Sequence, residues 1–115
     1  MNIYQDKRND IVQGVYLVRS CNNQYVRISK LTDDYLNTTG IISQINELRE
    51  GHAIFYRNNR YYMMTSHLTG WSSNPAELFI TNQNNLKNAK WYSLVNPTNS
   101  SITFNSQSTF VLSFP

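Results

Sequence analysis

The chain has 115 residues and a mass of 13.4 kDa, enough for one domain or for part of a larger one. Its 13% aromatic and 15% charged residues exclude a typical disordered segment, and a net charge of +3 spread along the chain is too diffuse to indicate a nucleic-acid partner. No apolar run reaches the ~18–20 residues of a membrane-spanning helix, and the single cysteine, Cys21, excludes an internal disulfide framework.

The first group of predicted strands lies in the first 45 residues. Apolar and β-branched residues predict a strand over residues 14–20 and a second over 25–31, with a polar turn between them. A further turn over 32–36 leads to a short third strand over 40–45. The group therefore begins with a hairpin.

The second group contains the strongest local pattern, a hairpin of residues 52–56 and 61–66 around a turn at 57–60. The turn contains two asparagines, which tolerate the positive φ angles of tight hairpins. Strands over 77–81 and 91–95 follow. The hairpin strands are apolar on both faces, which predicts strands that are covered on both sides.

The pattern as a whole predicts an all-β fold. The two groups begin about forty residues apart, the spacing at which propeller blades recur, and no stretch has sustained helical periodicity. A further element begins near residue 107. Two such groups alone would leave unpaired sheet edges, so we expect the chain to be an excerpt of a larger fold.

Residues with catalytic or ligating chemistry give few signals by themselves. His52 and His67 lie fifteen residues apart with no cysteine or paired carboxylates at ligand spacing, so no metal site is predicted. A phosphate-binding glycine loop and a serine-hydrolase elbow are both absent. On this basis alone, Glu50 is interpreted as a surface carboxylate paired with its neighbour Arg49.

Four segments, taken together and in order, resemble glycoside hydrolase family 43, in particular its exo-β-1,3-galactanase branch. The run REGHAIFYRNNRYYMMTSHLTGW is similar to the segment that opens a blade in that family and continues through a K-x-N-G-x-Y-Y hairpin to T-S-G-x-T-G-W. The run FNSQSTFVL resembles F-G-S-Q-S-T-F-V-L, and MNIY and SKLTDDYL resemble two further elements. These segments are residues 49–71, 104–112, 1–4 and 29–36.

The resemblance implies a five-bladed β-propeller with a sugar site at its central axis. The chain would then be a single partial propeller domain, residues 1–115, of roughly two blades built from antiparallel strands. Residues 1–47 would form about one blade and 48–96 about the next, and 101–115 would begin a third.

The resemblance also implies the site residues. Glu50 falls on the general-acid position, where a carboxyl must hold its proton until the glycosidic oxygen departs. Gln107 falls on the base position, where a neutral amide would position the attacking water. Thr69 and Trp71 lie in the substrate-contacting loop, although Trp71 is equally compatible with blade packing. No metal and no cofactor are implied.

Departures from the family pattern weaken the implied site. The aspartate that tunes the acid belongs to an R-D-M segment that would immediately precede Met1. His52 replaces a proline, His67 replaces a glycine, and residues 5–12 exceed the family's tight turn. We therefore expect the isolated 115-residue chain to be inactive or nearly so.

The leading functional hypothesis is thus a glycoside hydrolase that inverts configuration and resembles galactan 1,3-β-galactosidase. Its partner would be a β-1,3-galactan-like polysaccharide or oligosaccharide, with neither nucleic acid nor membrane. The family implies export from the cell, although the chain carries no leader peptide. The alternatives are a non-catalytic carbohydrate-binding propeller fragment and a gene fragment without an independent role.

Overall fold

In the computed structural model, the described residues are 1–22, 24–47, 49–67, 72–108 and 111, and they form two four-stranded antiparallel sheets. The strands of the first sheet are β1 (Asn2–Arg8), β2 (Ile11–Cys21), β3 (Tyr25–Leu31) and β4 (Thr38–Ile45). Those of the second are β5 (Glu50–Arg57), β6 (Arg60–Ser66), β7 (Glu77–Thr81) and β8 (Trp91–Ser93). A single turn at Thr103–Asn105 follows.

The predicted all-β fold class is confirmed, and each sheet is a meander in which every strand pairs with the next. Within the described part of the chain, no helix is long and apolar enough to cross a membrane. The first sheet ends at Ile45 and the second begins at Glu50. Strand β8 ends at Ser93, two residues earlier than the sequence predicts.

Strand β1 is an element that the strand patterns do not predict. It pairs with β2 through a two-residue turn in which Asn9 and Asp10 have φ angles of 49° and 63°. Asn58 and Asn59 form the predicted hairpin turn of the second sheet in the same way, with φ angles of 51° and 62°. Both turns match the right-handed twist of the strands that they join.

The hydrophobic core lies between the two sheets, because each sheet directs alternate side chains toward the other. Burying these side chains removes apolar surface from water and is the main force that holds the sheets together. The fully buried members from the first sheet are Val18, Val26 and Ile28, and those from the second include Tyr61, Met63 and Phe79.

A buried charge network joins the sheets beside this core. Asp6 is 1% exposed and accepts hydrogen bonds from the hydroxyl of Tyr61 and, at 3.4 Å, from that of Tyr4. Arg8 Nη2 lies 3.3 Å from the Asp6 carboxylate, and its guanidinium lies 3.8 Å from the centre of the Tyr56 ring. Burial raises the pKa of Tyr61, so its hydroxyl remains a donor to Asp6.

Further hydrogen bonds join the sheets at both ends of their interface. At the end where β4 meets β8, Trp91 Nε1 donates to Ser43 Oγ at 2.9 Å, and Ser43 Oγ donates to the carbonyl of Ala89 at 2.8 Å. At the end where β1 meets β5, Asn2 Nδ2 donates to the carbonyl of His52 at 2.6 Å. These bonds fix the two sheets relative to each other at both ends.

Part of the outward face of each sheet is also apolar. On the first sheet, Ile3 pairs with Leu17, Leu17 pairs with Ser29, and Ser29 pairs with Ile41. On the second, a row of four residues crosses all the strands, with the first two rings stacked at 5.0 Å. That row is Phe55, Tyr62, Ile80 and Tyr92.

Candidate functional site

The candidate site lies at a β-bulge where β5 begins. Glu50 pairs with Ser66 and Ala53 pairs with Met64, so β5 has one more residue than β6 over this interval. Gly51 occupies the bulge with a φ angle of +64°, in the left-handed region that favours glycine. Bulges of this kind turn a side chain out of the regular strand alternation. Here the bulge begins at Glu50.

Gln107 packs directly on the bulge. A Cβ atom at Gly51 would lie 2.5 Å from Gln107 Cγ, so the approach depends on the missing side chain. Gln107 Nε2 donates to Glu50 Oε1 at 3.1 Å and to Ser66 Oγ at 2.7 Å. These bonds use both amide hydrogens, and Gln107 Oε1 has no hydrogen-bond partner among the described residues.

An open cavity of about 390 Å³ surrounds the pair. Its lining comes from β1, from the bulge and from the C-terminal segment, so it lies where the two sheets meet. The residues that line it are Met1, Asn2, Glu50, Gly51, His52, Gln107 and Ser108. A carboxylate, amides and a hydroxyl are groups that hydrogen-bond to sugar hydroxyls.

His52 forms a neutral part of the cavity wall. It is 3% exposed, and its Nε2 lies 3.1 Å from the carbonyl oxygen of Arg49, to which it donates. Burial lowers the pKa of His52 to about 4, so the imidazole is uncharged near neutral pH. Its Nδ1 is buried without a hydrogen-bond partner in the described part of the chain.

Arg49 is directed away from Glu50, which corrects the surface ion pair suggested by the sequence. Arg49 is fully buried, its Nε donates to Thr65 Oγ1 at 2.8 Å, and its Nη1 lies 3.6 Å from Glu77 Oε1. Burial lowers the pKa of the guanidinium. The Glu50 carboxylate therefore accepts a hydrogen bond from Gln107 and lines the cavity.

The structure brings together two of the residues that the family resemblance implies, Glu50 and Gln107. Thr69 and Trp71 lie outside the described residues. His67 does not line the cavity. The sequence did not indicate a role for Ser66 and Ser108 at the site, although both lie in the segments that resemble the family. The described residues contain no group of three or more histidine, cysteine or acidic side chains that could hold a metal ion.

Comparison with solved structures finds proteins similar to this chain. A GH43 β-1,3-galactosidase with galactodeoxynojirimycin is 32% identical over 99% of the chain, with a TM-score of 0.81. An exo-β-1,3-galactanase from Clostridium thermocellum is 28% identical over 95%, with a TM-score of 0.77. An exo-β-1,3-galactanase from Phanerochaete chrysosporium, solved with galactose, is 30% identical over 95%, with a TM-score of 0.77.

The chain spans only part of these relatives, 33% of the first and 23% and 25% of the other two. No protein-family model matches it, and no curated protein matches it significantly. The solved structures nevertheless align with nearly all of the chain at a high TM-score. They confirm the predicted resemblance: the chain is similar in sequence and in fold to part of GH43 β-1,3-galactosidases and exo-β-1,3-galactanases, and its two four-stranded sheets form a partial β-propeller.

Proposed function

We propose that this chain carries the catalytic pair of a glycoside hydrolase that releases galactose from β-1,3-linked galactan with inversion. The observation that supports this most directly is the contact between Gln107 Nε2 and Glu50 Oε1, 3.1 Å long, within a polar cavity of about 390 Å³. The names of the relatives, β-1,3-galactosidase and exo-β-1,3-galactanase, supply the substrate class. Residues 1–47 and 48–96 would be successive blades, and residues 101–115 the start of a third.

In this proposal Glu50 protonates the departing glycosidic oxygen, and Gln107 positions the attacking water. A neutral amide is a poor base, so Gln107 acts through its carbonyl oxygen. The bonds from Nε2 to Glu50 and Ser66 fix the orientation of the amide and leave Oε1 free to accept a hydrogen bond from water. Thr69 and Trp71 would contact the sugar, with the indole stacked on its apolar face.

Substrate must separate the two groups before reaction. Inverting hydrolases keep their acid and base groups ~6.5–9.5 Å apart to admit a water, whereas Glu50 and Gln107 are in contact. We infer that the glycosidic oxygen replaces the Gln107 amide at Glu50. The hydrogen bond to Ser66 would retain the amide nearby.

The isolated chain is expected to bind sugar weakly and to turn over little substrate. Its described cavity is lined by two sheets and one segment and is open to solvent, whereas strong sugar binding needs an enclosing wall. Turnover of β-1,3-galactan at a rate comparable to that of the longer relatives would contradict this expectation.

The test is a titration of the isotope-labelled chain with β-1,3-galactobiose, followed by NMR, together with prolonged incubation on β-1,3-galactan. We expect chemical-shift changes at Glu50, Gly51 and Gln107. Glu50→Gln should abolish residual turnover and retain binding, and Glu47→Gln, which alters an exposed carboxylate outside this cavity, should change neither.

Two outcomes would contradict the proposal. Sugar-induced shifts confined to another surface would exclude the cavity as the sugar site. Residual turnover that Glu50→Gln leaves intact would exclude Glu50 as the acid. A chain that binds sugar through the cavity, shows no turnover and loses binding in Glu50→Gln would support the carbohydrate-binding alternative instead.

A further inference from the structure

Four consecutive peptide carbonyls in the bulge, those of residues 49–52, each accept a hydrogen bond from a side chain. Carbonyls in a regular strand are instead satisfied by the neighbouring strand. The bulge interrupts that pairing between Glu50 and Ala53, so other donors are needed. The donors, in the order of the carbonyls they bind, are Ser20, Ser66, Ser108 and Asn2.

These four side chains, which we call the carbonyl rack, converge from separate parts of the fold. Asn2 and Ser20 belong to the first sheet, and Asn2 Nδ2 reaches its carbonyl at 2.6 Å. Ser66 is on the adjacent strand β6, and its Oγ lies 3.3 Å from the Glu50 carbonyl. Ser108 follows Gln107 in the C-terminal segment. The bulge is therefore bound by side chains from the first sheet, from strand β6 and from the C-terminal segment.

One member of the rack links the bulge directly to the candidate chemistry. Ser66 Oγ donates to the Glu50 carbonyl and simultaneously accepts from Gln107 Nε2 at 2.7 Å. Ser108 adds a second link, because its hydroxyl binds the Gly51 carbonyl while its backbone continues from Gln107. A displacement of the bulge would therefore also displace the amide that contacts the Glu50 carboxylate.

We propose that the carbonyl rack is a set of positioning residues that aligns Glu50 with Gln107. The purpose of this alignment rests on the proposed function, whereas the alignment itself can be tested without sugar or turnover. The four members should not contribute equally. Ser66 has the largest effect on the position of the Gln107 amide because it binds both that amide and the Glu50 carbonyl. Ser20 has a smaller effect because His52 Nε2 also donates to the Arg49 carbonyl.

The experiment follows the side-chain amide of Gln107 by ¹⁵N NMR in the full 115-residue chain. In the unaltered chain, the two amide protons should have well-separated shifts and slow exchange with water, since both are hydrogen-bonded. Ser66→Ala should accelerate their exchange about five-fold or more, as expected for one lost hydrogen bond. Ser108→Ala should have a smaller effect in the same direction, and Ser20→Ala the smallest.

A conservative variant and a matched control separate positioning from general stability. Ser66→Thr keeps the hydroxyl and should restore the slow exchange, because a cavity of about 160 Å³ beside Ser66 has room for the methyl group. Ser93→Ala removes a strand serine that accepts from the Val95 backbone amide, outside the site, and should leave the Gln107 amide unchanged.

The proposal is overturned if Ser66→Ala folds and leaves the Gln107 amide protons as they are in the unaltered chain. It is also overturned if Ser93→Ala perturbs them equally, because the effect would then reflect global loosening. Fast-exchanging Gln107 amide protons in the unaltered chain would overturn it as well. Failure of the proposed function is distinguishable, since it would abolish sugar-induced shifts while the Gln107 amide still responded to Ser66→Ala.

Discussion

Gly51 shows how a single residue brings the candidate pair together. Its φ angle of +64° disfavours residues with a Cβ atom, and the space that a Cβ would occupy is already filled by Gln107. Backbone conformation and side-chain packing therefore both require glycine here. The sequence alone did not identify this requirement, because neither the φ angle nor the packing of Gln107 can be read from a local pattern.

Substituting Gly51→Ala should destabilise the fold and displace Gln107. We expect a loss of about 1–3 kcal/mol in the free energy of unfolding, from backbone strain together with the contact at 2.5 Å. Urea unfolding measures this loss. Gly40→Ala is the control, because Gly40 also has a positive φ, +119°, but has no atom within 4 Å of the added methyl group. Equal losses in both variants would show that contact with Gln107 contributes nothing.

His52 gives the fold a pH dependence. Its folded pKa of about 4 lies below the ordinary value of 6.5, so the unfolded chain takes up the proton first as the pH falls. The free energy of unfolding is therefore highest above about pH 6.5 and falls progressively toward pH 4, by an amount on the order of 3 kcal/mol. Burial is the largest cause of the lowered pKa, and the other groups that act on the imidazole are the Arg49 carbonyl, the amino terminus at Met1 and the Arg49 guanidinium.

The measurement is the thermal unfolding midpoint between pH 7 and pH 4. The midpoint should fall less steeply in His52→Gln than in the unaltered chain, because glutamine does not titrate. His67→Gln removes an exposed histidine and should preserve the original slope. Identical slopes in all three proteins would contradict the assignment to His52.

At the scale of elements, the sequence predicted the strands whose side chains are apolar and missed the one whose buried face is polar. Periodicity identifies strands by hydrophobic side chains. Strand β1 instead buries Asp6, whose charge is compensated by Arg8 and by hydroxyls from two strands. Such compensation depends on tertiary contacts, which a local pattern does not contain. The Asn58–Asn59 hairpin was predictable because its turn chemistry is local.

The residues of the candidate site likewise divide into those that the sequence predicted and those that it did not. Glu50 and Gln107 were predicted through motif resemblance, although 57 positions separate them in the chain. The bulge and the donors to its carbonyls were not predicted, because a serine in a strand gives no indication of which carbonyl it binds. The neighbouring Arg49 was misassigned, since its true partner Glu77 lies on another strand.

Tyr61→Phe tests the charge network that replaces apolar packing at β1. Removing the hydroxyl takes one donor from the buried Asp6 carboxylate, so unfolding should become easier by about 1–3 kcal/mol, measured in urea. Tyr62→Phe is matched in chemistry and adjacent in sequence. The Tyr62 hydroxyl makes no hydrogen bond with the described residues, and its removal should change stability by less than about 0.5 kcal/mol.

At the scale of the whole molecule, exposed apolar side chains on the outward faces of the two sheets have no packing partner in the described chain. Ile3 is 55% exposed, Ile41 is 51% and Tyr92 is 54%. Propeller blades stack face to face, and the chain covers only a third or less of its solved relatives. Contiguous apolar surface of this kind favours association in water.

We therefore expect the isolated chain to associate at micromolar concentration. Sedimentation velocity should show species larger than 13.4 kDa. The double variant Ile3→Lys with Ile41→Lys should shift the distribution toward monomer, since it places charge on one outward face. Leu36→Lys alters an exposed leucine in the β3–β4 turn, outside that row, and should not. A monomeric unaltered chain would contradict the expectation.

The interface between the two sheets is hydrogen-bonded at one end by Trp91 and Ser43 and at the other end by Asn2 and His52. A hinge motion between the two sheets would need one end of their interface to be free, and both ends are hydrogen-bonded. The two sheets are therefore expected to move as one rigid body. If a complete propeller opens to admit a long polysaccharide, the opening would occur between other blades. The orientation of Glu50 relative to the first sheet would then stay constant during that motion.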